Sequence, residues 1–371
     1  SNTIIDGGGV SSVIYMNPQS ATIDTTTLIQ GFKITNGGNV SNGGGIYFED
    51  SGPCISKCWI DSNYSSGWGG GIYARSHNFV IKKSIFSNNT SDQGGGIGCF
   101  SGGGIIRACE LKNNNSFSQS RGGAIWIFNQ NSPYEDLTLK NIIIHNNGSG
   151  LSLHGDHIFL INVSIYNNNN YSLYDNGETA ITNCKIFNNN GIGYFKSSSE
   201  SILSNTIIAN NNTNDGYSSG GVVLPWGSKI TANNLTVINN VGSQVYLSDI
   251  YGYNSDFTNV NIISDNNATA FMINNGSPSI NQSNIISPTN GIENQNNANY
   301  TSATNNYWGD SSGPYHQTQN PNGEGTGVGS FIYFDPWLTT PNTDAPPIPA
   351  QNTTVTGTGN DFISLDWDAS E

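Results

Sequence analysis

The sequence predicts an all-β chain wound as a parallel β-helix, a solenoid of about eleven or twelve three-stranded coils with a C-terminal cap. Three observations predict it. A short apolar pattern recurs through most of the 371 residues. The composition leaves little material for long helices. One tight turn carries an asparagine at the same place in successive repeats.

The repeat comes first, because a fixed period changes every later reading. In each unit an apolar residue is followed three positions on by a small or apolar residue, and five positions on by a second apolar anchor. Two asparagines usually close the block. Ile55-Ser-Lys-Cys58-Trp-Ile60-Asp-Ser-Asn63 and Ile81-Lys-Lys-Ser84-Ile-Phe86-Ser-Asn-Asn89 show the pattern, and Ile181 to Asn189 and Leu203 to Asn211 repeat it. The second anchor falls at Ile34, Ile60, Phe86, Leu111, Ile144, Ile165, Ile186, Ile208, Val237 and Ile262, with spacings of 21 to 33 residues. A further strand-like block follows, as in Gly45-Ile-Tyr-Phe48, Gly71-Ile-Tyr-Ala74, Ala124-Ile-Trp-Ile127 and Gly221-Val-Val-Leu224. Each unit thus holds three short strands of period-two alternation with no helical stretch between them. So small a unit cannot bury its own apolar face and must stack on its neighbours. At roughly 4.8 Å per coil the stack is a rod on the order of 55 Å long.

The turn between the first two strands of each block has two residues, the second being Asn141, Asn162, Asn183, Asn205, Asn234 and Asn259 in consecutive coils. Asparagine tolerates the left-handed conformation of a sharp bend. Stacked in register, its amide is expected to bond the turns above and below and to satisfy buried backbone groups.

Composition supports the same class. Charged residues are only 10% of the chain, against about 25% in an ordinary globular protein. Glycine supplies 45 residues, while 35% apolar and 11% aromatic content can support a core. Twelve basic against 26 acidic residues give a net charge of −14, which argues against nucleic acid or an anionic membrane surface as partner. No run approaches the roughly 18 apolar residues of a membrane span. The five cysteines, Cys54, Cys58, Cys99, Cys109 and Cys184, fit neither zinc spacing nor a dense disulfide framework. Cys58, Cys109 and Cys184 share one inward position with Ser84, Ile142 and Val163 and read as buried thiols.

At these residues the chain resembles known families. Gly43-Gly-Gly-Ile46, Gly69-Gly-Gly-Ile72, Gly94-Gly-Gly-Ile97 and Gly122-Gly-Ala-Ile125 resemble the glycine motif of polymorphic outer-membrane protein repeats, and Phe86-Ser-Asn-Asn89 resembles its partner motif. Residues 3 to 340 are similar to the right-handed β-helix region of large secreted bacterial proteins, the pectate-lyase-like superfold. The resemblance implies right-handed coiling and a secreted or cell-surface setting. It fixes no activity, since that superfold hosts lyases, hydrolases and adhesins.

The domain reading follows: coils over residues 1–297, a cap over 298–340, a proline-rich linker over 341–350, and over 351–371 the start of a truncated fibronectin type III-like domain. Asn305-Asn-Tyr-Trp-Gly-Asp310-Ser-Ser-Gly-Pro314 and Phe334-Asp-Pro-Trp337 break the repeat and are suited to shield the last apolar layer. Val355 and Phe362-Ile-Ser-Leu-Asp-Trp367 resemble the opening strands of a fibronectin type III domain. Thr3-Ile-Ile-Asp-Gly-Gly-Gly9 starts within a coil, and residues 1–5 show no signal peptide, so the sequence reads as a processed chain or an internal piece. Open ends of such a rod would allow end-to-end association into a fibre.

Three functional readings stand open. In the first, the chain is a rigid adhesive or carbohydrate-binding scaffold. Alternation turns Ile46, Ile72, Ile97 and Ile125 inward and Tyr47, Tyr73, Gly98, Trp126, Ser152, Tyr174, Val223 and Tyr246 outward, with Glu49, Arg75, Phe100, Phe128, His154 and Asn176 as the next outward row. Tyr47, Tyr73, Trp126, Phe128, Tyr174 and Tyr246 then form an aromatic stripe for a polysaccharide or cell-surface glycan. In the second, the chain is a polysaccharide lyase or glycoside hydrolase acting on acidic polysaccharide in a groove on this face. Arg75 or Arg121 would supply the base, His154 and Asp156 of the His154-Gly-Asp-His157 group the acid chemistry, and Glu49 and Asp92 the ligands of a calcium ion. The first reading needs no cofactor. In the third, the rod is the building block of a head-to-tail extracellular fibre.

Overall fold

The computed structural model describes residues 3–18, 23–75, 78–100, 102–118, 120–129, 135–213, 217, 219–296 and 299–344, and the backbone of strands 351–358 and 363–368. It is a parallel β-solenoid of about 11 turns. Each coil contributes one strand to a front sheet of 14 strands, which holds the Gly-block strands, and two to a back sheet of 21. All pairings within these two sheets are parallel; the antiparallel pair is Gln351–Thr358 with Ile363–Asp368. Residues 345–350 of the proline-rich stretch lie outside the described residues.

The second anchors explain the stack. Ile34 pairs with Ile60, Ile60 with Phe86 and Phe86 with Leu111. The column continues through Ile144, Ile165, Ile186, Ile208, Val237 and Ile262, directly in register from coil to coil. Every one of them is at most 1% exposed. Spacings of 21 to 33 residues are compatible with one register because the extra residues leave the coil as loops and the strands stay in line.

The turn chemistry differs from expectation in one respect. Asn141, Asn162, Asn183, Asn205, Asn234 and Asn259 are left-handed, with φ between 49° and 56°. Asn141, Asn162, Asn183 and Asn205 are exposed, however, and Asn234 and Asn259 half-buried; Asn162 Nδ2 donates to Asn141 Oδ1 at 2.8 Å as an exposed contact. The bend is so slight that single strands, Leu137–His145 and Ile158–Tyr166 among them, run straight through it. The buried ladder runs instead through the second asparagine of each Asn-Asn pair. Asn63, Asn89, Asn114, Asn147, Asn168, Asn189, Asn211 and Asn240 stack inside the turn after the second anchor, each at most 2% exposed, and Gln244 ends the row.

Asn168 shows what one member does. Its Nδ2 donates to the carbonyls of Ile144 and Tyr166 and to Asn189 Oδ1, at 3.0 to 3.2 Å. Its Oδ1 accepts from the backbone and side-chain nitrogens of Asn147, both at 3.0 Å. The preceding residue does the bending: Asn88, Asn113, Asn146, Asn167, Asn188 and Asn210 have φ between 53° and 56°. The Asn-Asn pair therefore divides two jobs, a left-handed corner and a buried amide that satisfies backbone groups no water reaches.

The Gly-Gly-Gly blocks divide labour as well. Gly69 holds a φ of 64°, and a Cβ on Gly70 would sit 2.4 Å from the Thr90 carbonyl oxygen and 2.7 Å from that of Gly95 in the next coil. At the last coils Trp308 is fully buried and Trp337 packs against the core. At the first coil Ile4, Val10, Tyr15 and Leu28 are each more than half exposed.

Replacing Asn168 by Ala orphans buried backbone groups in two coils and is expected to cost at least about 3 kcal/mol. Asn162→Gly, which loses one exposed contact and keeps the left-handed bend, should cost less than about 1 kcal/mol. Urea denaturation of the two variants beside the parent chain checks the contrast; equal losses would move the ladder back to the two-residue turn.

Candidate functional site

The outward stripe of the front sheet is a ladder of rings that stack on one another. Tyr15 lies 4.7 Å from Tyr47, and Tyr47 5.1 Å from Tyr73, centroid to centroid. Trp68 reaches in from the loop before its Gly block and stacks on Tyr73, Phe100 and Trp126 at 4.8 to 5.9 Å. Phe128 continues the row beside Phe100 and Trp126. His154 links Trp126 to Tyr174, and Tyr174 stacks on Phe195 at 5.4 Å.

This packing covers part of the row expected to face solvent, while Tyr47, Phe128, Tyr174 and Tyr246 remain half-buried. Tyr73 is 3% exposed, Trp126 6%, and Val223 is fully buried. Phe195, which the repeat pattern skipped, fills the missing rung between Tyr174 and Val223. Ile192, Phe195 and Val223 form a second small core, roofed by Tyr171, Tyr174, Tyr217 and Tyr246. Alternation sets which side of a strand a residue leaves from; whether a loop then folds over it is a separate matter. Tyr73 and Trp126 spend their ring faces within the ladder, while Tyr47, Phe128, Tyr174 and Tyr246 stay half-buried.

The charged candidates are similarly engaged. Arg75 pairs with Glu49 at 2.7 Å and lies over the Phe100 ring. Glu49 also accepts from the Tyr47 hydroxyl and from Asn17. Arg121 pairs with Asp92. Both proposed bases and both proposed calcium ligands thus neutralise one another in separate places. Among the described residues no three His, Cys, Asp or Glu side chains gather as a metal site.

His154 and its neighbours diverge. His154 Nδ1 accepts from Asn176 Nδ2, so Nε2 is left to donate to Ser152 Oγ at 2.9 Å. Burial lowers its pKa below the ordinary 6.5, nearby Asp175 opposing and Arg121 adding to the effect. Asp156 accepts the Glu178 backbone N–H at 3.0 Å. His157 turns the corner at φ 59° and meets Asp136 at 3.2 Å. The two imidazoles therefore serve different surfaces.

Two features escape the repeat. The first is a buried polar cluster inside the coil. Asp175 and Lys196, paired across adjacent strands, occupy a column otherwise filled by Ile127, Leu153 and Leu224. Both are fully buried and 3.2 Å apart. Tyr194, Thr179 and Ser201 each donate a hydroxyl to Asp175 Oδ2, the Gly177 N–H donates to Oδ1, and Lys196 also donates to the Gly177 carbonyl. Desolvation lowers the Lys196 pKa, and Asp175 opposes that most.

The second is an open cleft of about 630 Å³ where the front sheet turns toward the back sheet. Trp226, Tyr251 and Tyr253 line it, each more than half exposed. Glu178, Glu200 and Lys229 line it as well. These three belong to a column in which each precedes a paired strand position, with Glu200 directly opposite Lys229. Lys229 Nζ meets Glu200 Oε1 at 3.1 Å. Among the described residues no cation lies within ion-pair distance of the exposed Glu178 carboxylate.

The aromatic wall is held in place. Asp249, 4% exposed, accepts the backbone N–H groups of Tyr251, Gly252 and Asn254 at 2.9 to 3.1 Å. Trp226 is left-handed at φ 58°, unusual for so bulky a residue. A Cβ on Gly227 would come within 2.3 Å of the Tyr251 ring, so only glycine lets that ring lie on the turn. The available signal in the sequence was Pro225-Trp226-Gly227 and Tyr251-Gly-Tyr253, both in turns that follow a front-sheet strand.

The family model described as the right handed beta helix region matches residues 108–217 and, overlapping them, 149–307, together more than half of the chain. No curated protein and no solved structure matches it. Among the described residues no helix is long and apolar enough to cross a membrane.

Two outcomes follow from the buried groups. Lys196→Met leaves Asp175 without its cation and is expected to cost about 3–5 kcal/mol; denaturation that lost under about 1 kcal/mol would show that water reaches the pair. His154 favours its neutral form when folded, so the unfolded chain binds more protons below pH 6.5 and stability should fall as pH drops through that region. His154→Phe should flatten this part of a stability-against-pH curve, and an unchanged slope would assign it to other groups.

Proposed function

The chain belongs to the right-handed β-helix family, and on that scaffold we propose that it is a carbohydrate-binding module acting outside the cell or at its surface, with the glycan held in the Trp226–Tyr251–Tyr253 cleft. The fold alone fixes no activity, so the reading rests on the site. One observation carries it: three aromatic rings, each more than half exposed, line one cleft together with two carboxylates and an amine. Rings with free faces stack on the apolar faces of pyranoses, while carboxylates and ammonium groups bond hydroxyls. The volume lies within the ~300–1,000 Å³ range of small-ligand clefts.

The rigid backbone suits a binding role. The Asn ladder and the Asp249 turn fix the wall before any ligand arrives, which lowers the ordering cost of binding. Catalysis has less support. A lyase needs a free base beside a bound cation, and Arg75 and Arg121 are each tied to the acid that would hold the cation. The ring ladder of the front sheet serves stability in this reading, since Tyr73 and Trp126 spend their faces within it.

A glycan array probed with the parent chain, Trp226→Ala and Trp126→Ala tests the assignment. Trp226→Ala is expected to lower affinity tenfold or more, about 1.4 kcal/mol, with its denaturation curve little changed. Trp126→Ala is expected to lose about 3 kcal/mol or more of stability while its folded fraction still binds. Glycan binding that survived Trp226→Ala and vanished in folded Trp126→Ala would move the site to the front sheet.

A further inference from the structure

We infer that the cleft selects polysaccharides that carry free amines, that is, 2-amino sugars whose nitrogen is protonated, over neutral, N-acetylated or uronic-acid chains. This rests on the carbohydrate-binding reading above and adds the class of sugar.

The charge of the cleft decides the class. Its charged groups are Glu178, Glu200 and Lys229, and Lys229 is already matched to Glu200. Glu178 makes no ion pair among the described residues; the Lys196 ammonium that feels its charge is buried and already paired with Asp175. Asp156 stands next to it, bonded to the Glu178 backbone N–H. Beyond Asp156, His157 is occupied with Asp136. The local balance is therefore negative, and the whole chain adds a field of net charge −14. A uronate chain entering here would bring like charge to a cleft with no unmatched cation, which disfavours both encounter and residence.

The aromatic wall points the same way. An indole and two phenols present electron-rich faces that attract a cation within about 6 Å. Tyr251 and Tyr253 sit edge to face at 6.4 Å, so two differently directed rings border one space. A neutral hexose would use the stacking surface and leave Glu178 without a partner. An amino sugar uses both: its apolar ring face against Trp226 or Tyr251, its ammonium between the rings and Glu178. Ser197, Ser198 and Ser199 on the floor provide hydroxyl partners for the remaining sugar oxygens.

The spacing of the stack suits a chain more than a single residue. A neighbouring cleft of about 330 Å³, lined by His157, Phe159 and Ile202, shares Glu178 and Glu200 with this one. The two carboxylates, one coil apart in register, thus border both spaces, and a polymer could run along the rod past them.

The experiment compares glucosamine oligosaccharides with fully N-acetylated oligosaccharides of the same length and linkage, and with oligogalacturonate, by titration calorimetry at mildly acidic pH on the full chain. The free-amine oligomer is expected to bind about tenfold more tightly than the acetylated one, and oligogalacturonate most weakly. Glu178→Gln should bring the free-amine and acetylated oligomers to parity, while Glu324→Gln, the same charge change on an exposed residue of the terminal segment, should leave the preference intact. That control separates the site from general attraction of a cation to an acidic protein. Trp226→Ala should weaken both oligomers. Equal or tighter binding of the acetylated oligomer, or a preference that survives Glu178→Gln, overturns the amine selectivity and leaves carbohydrate binding standing. Absence of binding to any oligomer, in a chain whose denaturation curve is normal, overturns both.

Discussion

A peptide chain that turns sharply inside a stack points carbonyl and N–H groups at a place water cannot reach. The amide of Asn168 meets that demand in five directions at once, three as donor and two as acceptor. Leaving one such group unpaired costs ~1–3 kcal/mol, so the turn would not form in register without it. The apolar columns behind the ladder supply most of the driving force, but they are tolerant: Ile, Leu, Val and Phe interchange along them. The amide column is not tolerant in the same way, and it sets where each coil must begin again. Where the pitch changes, as after Asn240, a longer amide, Gln244, reaches back to keep the row satisfied.

This hierarchy explains what could be read from residues alone. The apolar anchors and the Gly-block strands were legible because each obeys the same rule in every coil: sit in register, stay dry. All ten anchors and Ile46, Ile72, Ile97 and Ile125 are inside. The asparagine rows were legible as rows but not in their roles. Both Asn positions recur, both bend or stack, and periodicity does not tell which side chain points inward. Only the backbone reveals that the first of each Asn-Asn pair is left-handed and the second is enclosed. The inward thiols at Cys58, Cys109 and Cys184 followed from the column they share. Each is buried, and burial pushes Cys109 and Cys184 up to about 11.

The surface was less legible, for a related reason. Contacts that cover or expose a ring come from loops whose lengths differ between coils, so they leave no period. Trp68 caps Tyr73 and Trp126 from a loop whose neighbours in register carry Asn42 and Gln93 at that place, so the ring itself does not recur. Tyr171 and Tyr217 roof Phe195 in the same way. Asp175 and Lys196 break the apolar column together, and a single charged residue in a repeat does not announce that its partner lies one coil away.

A solenoid built on register leaves limited room for chemistry. A residue that sits in a repeating column answers to its neighbours above and below, and changing it disturbs both. The turns between the two sheets are freer of that obligation, and it is in two of them that Trp226 and the Tyr251–Tyr253 pair arise. There the chain holds a tryptophan at φ 58°, a conformation of order 1–3 kcal/mol above the ordinary wells. Nothing in the stack asks for that indole, whose one ring contact among the described residues is an edge-to-face touch on Phe195. A strained bulky side chain, half exposed beside a buried aspartate that ties down the facing loop, is stabilised by its surroundings without serving them. Strain of this kind on a large exposed ring is a second reason for the proposal that sets the binding site at this corner and not along the aromatic front.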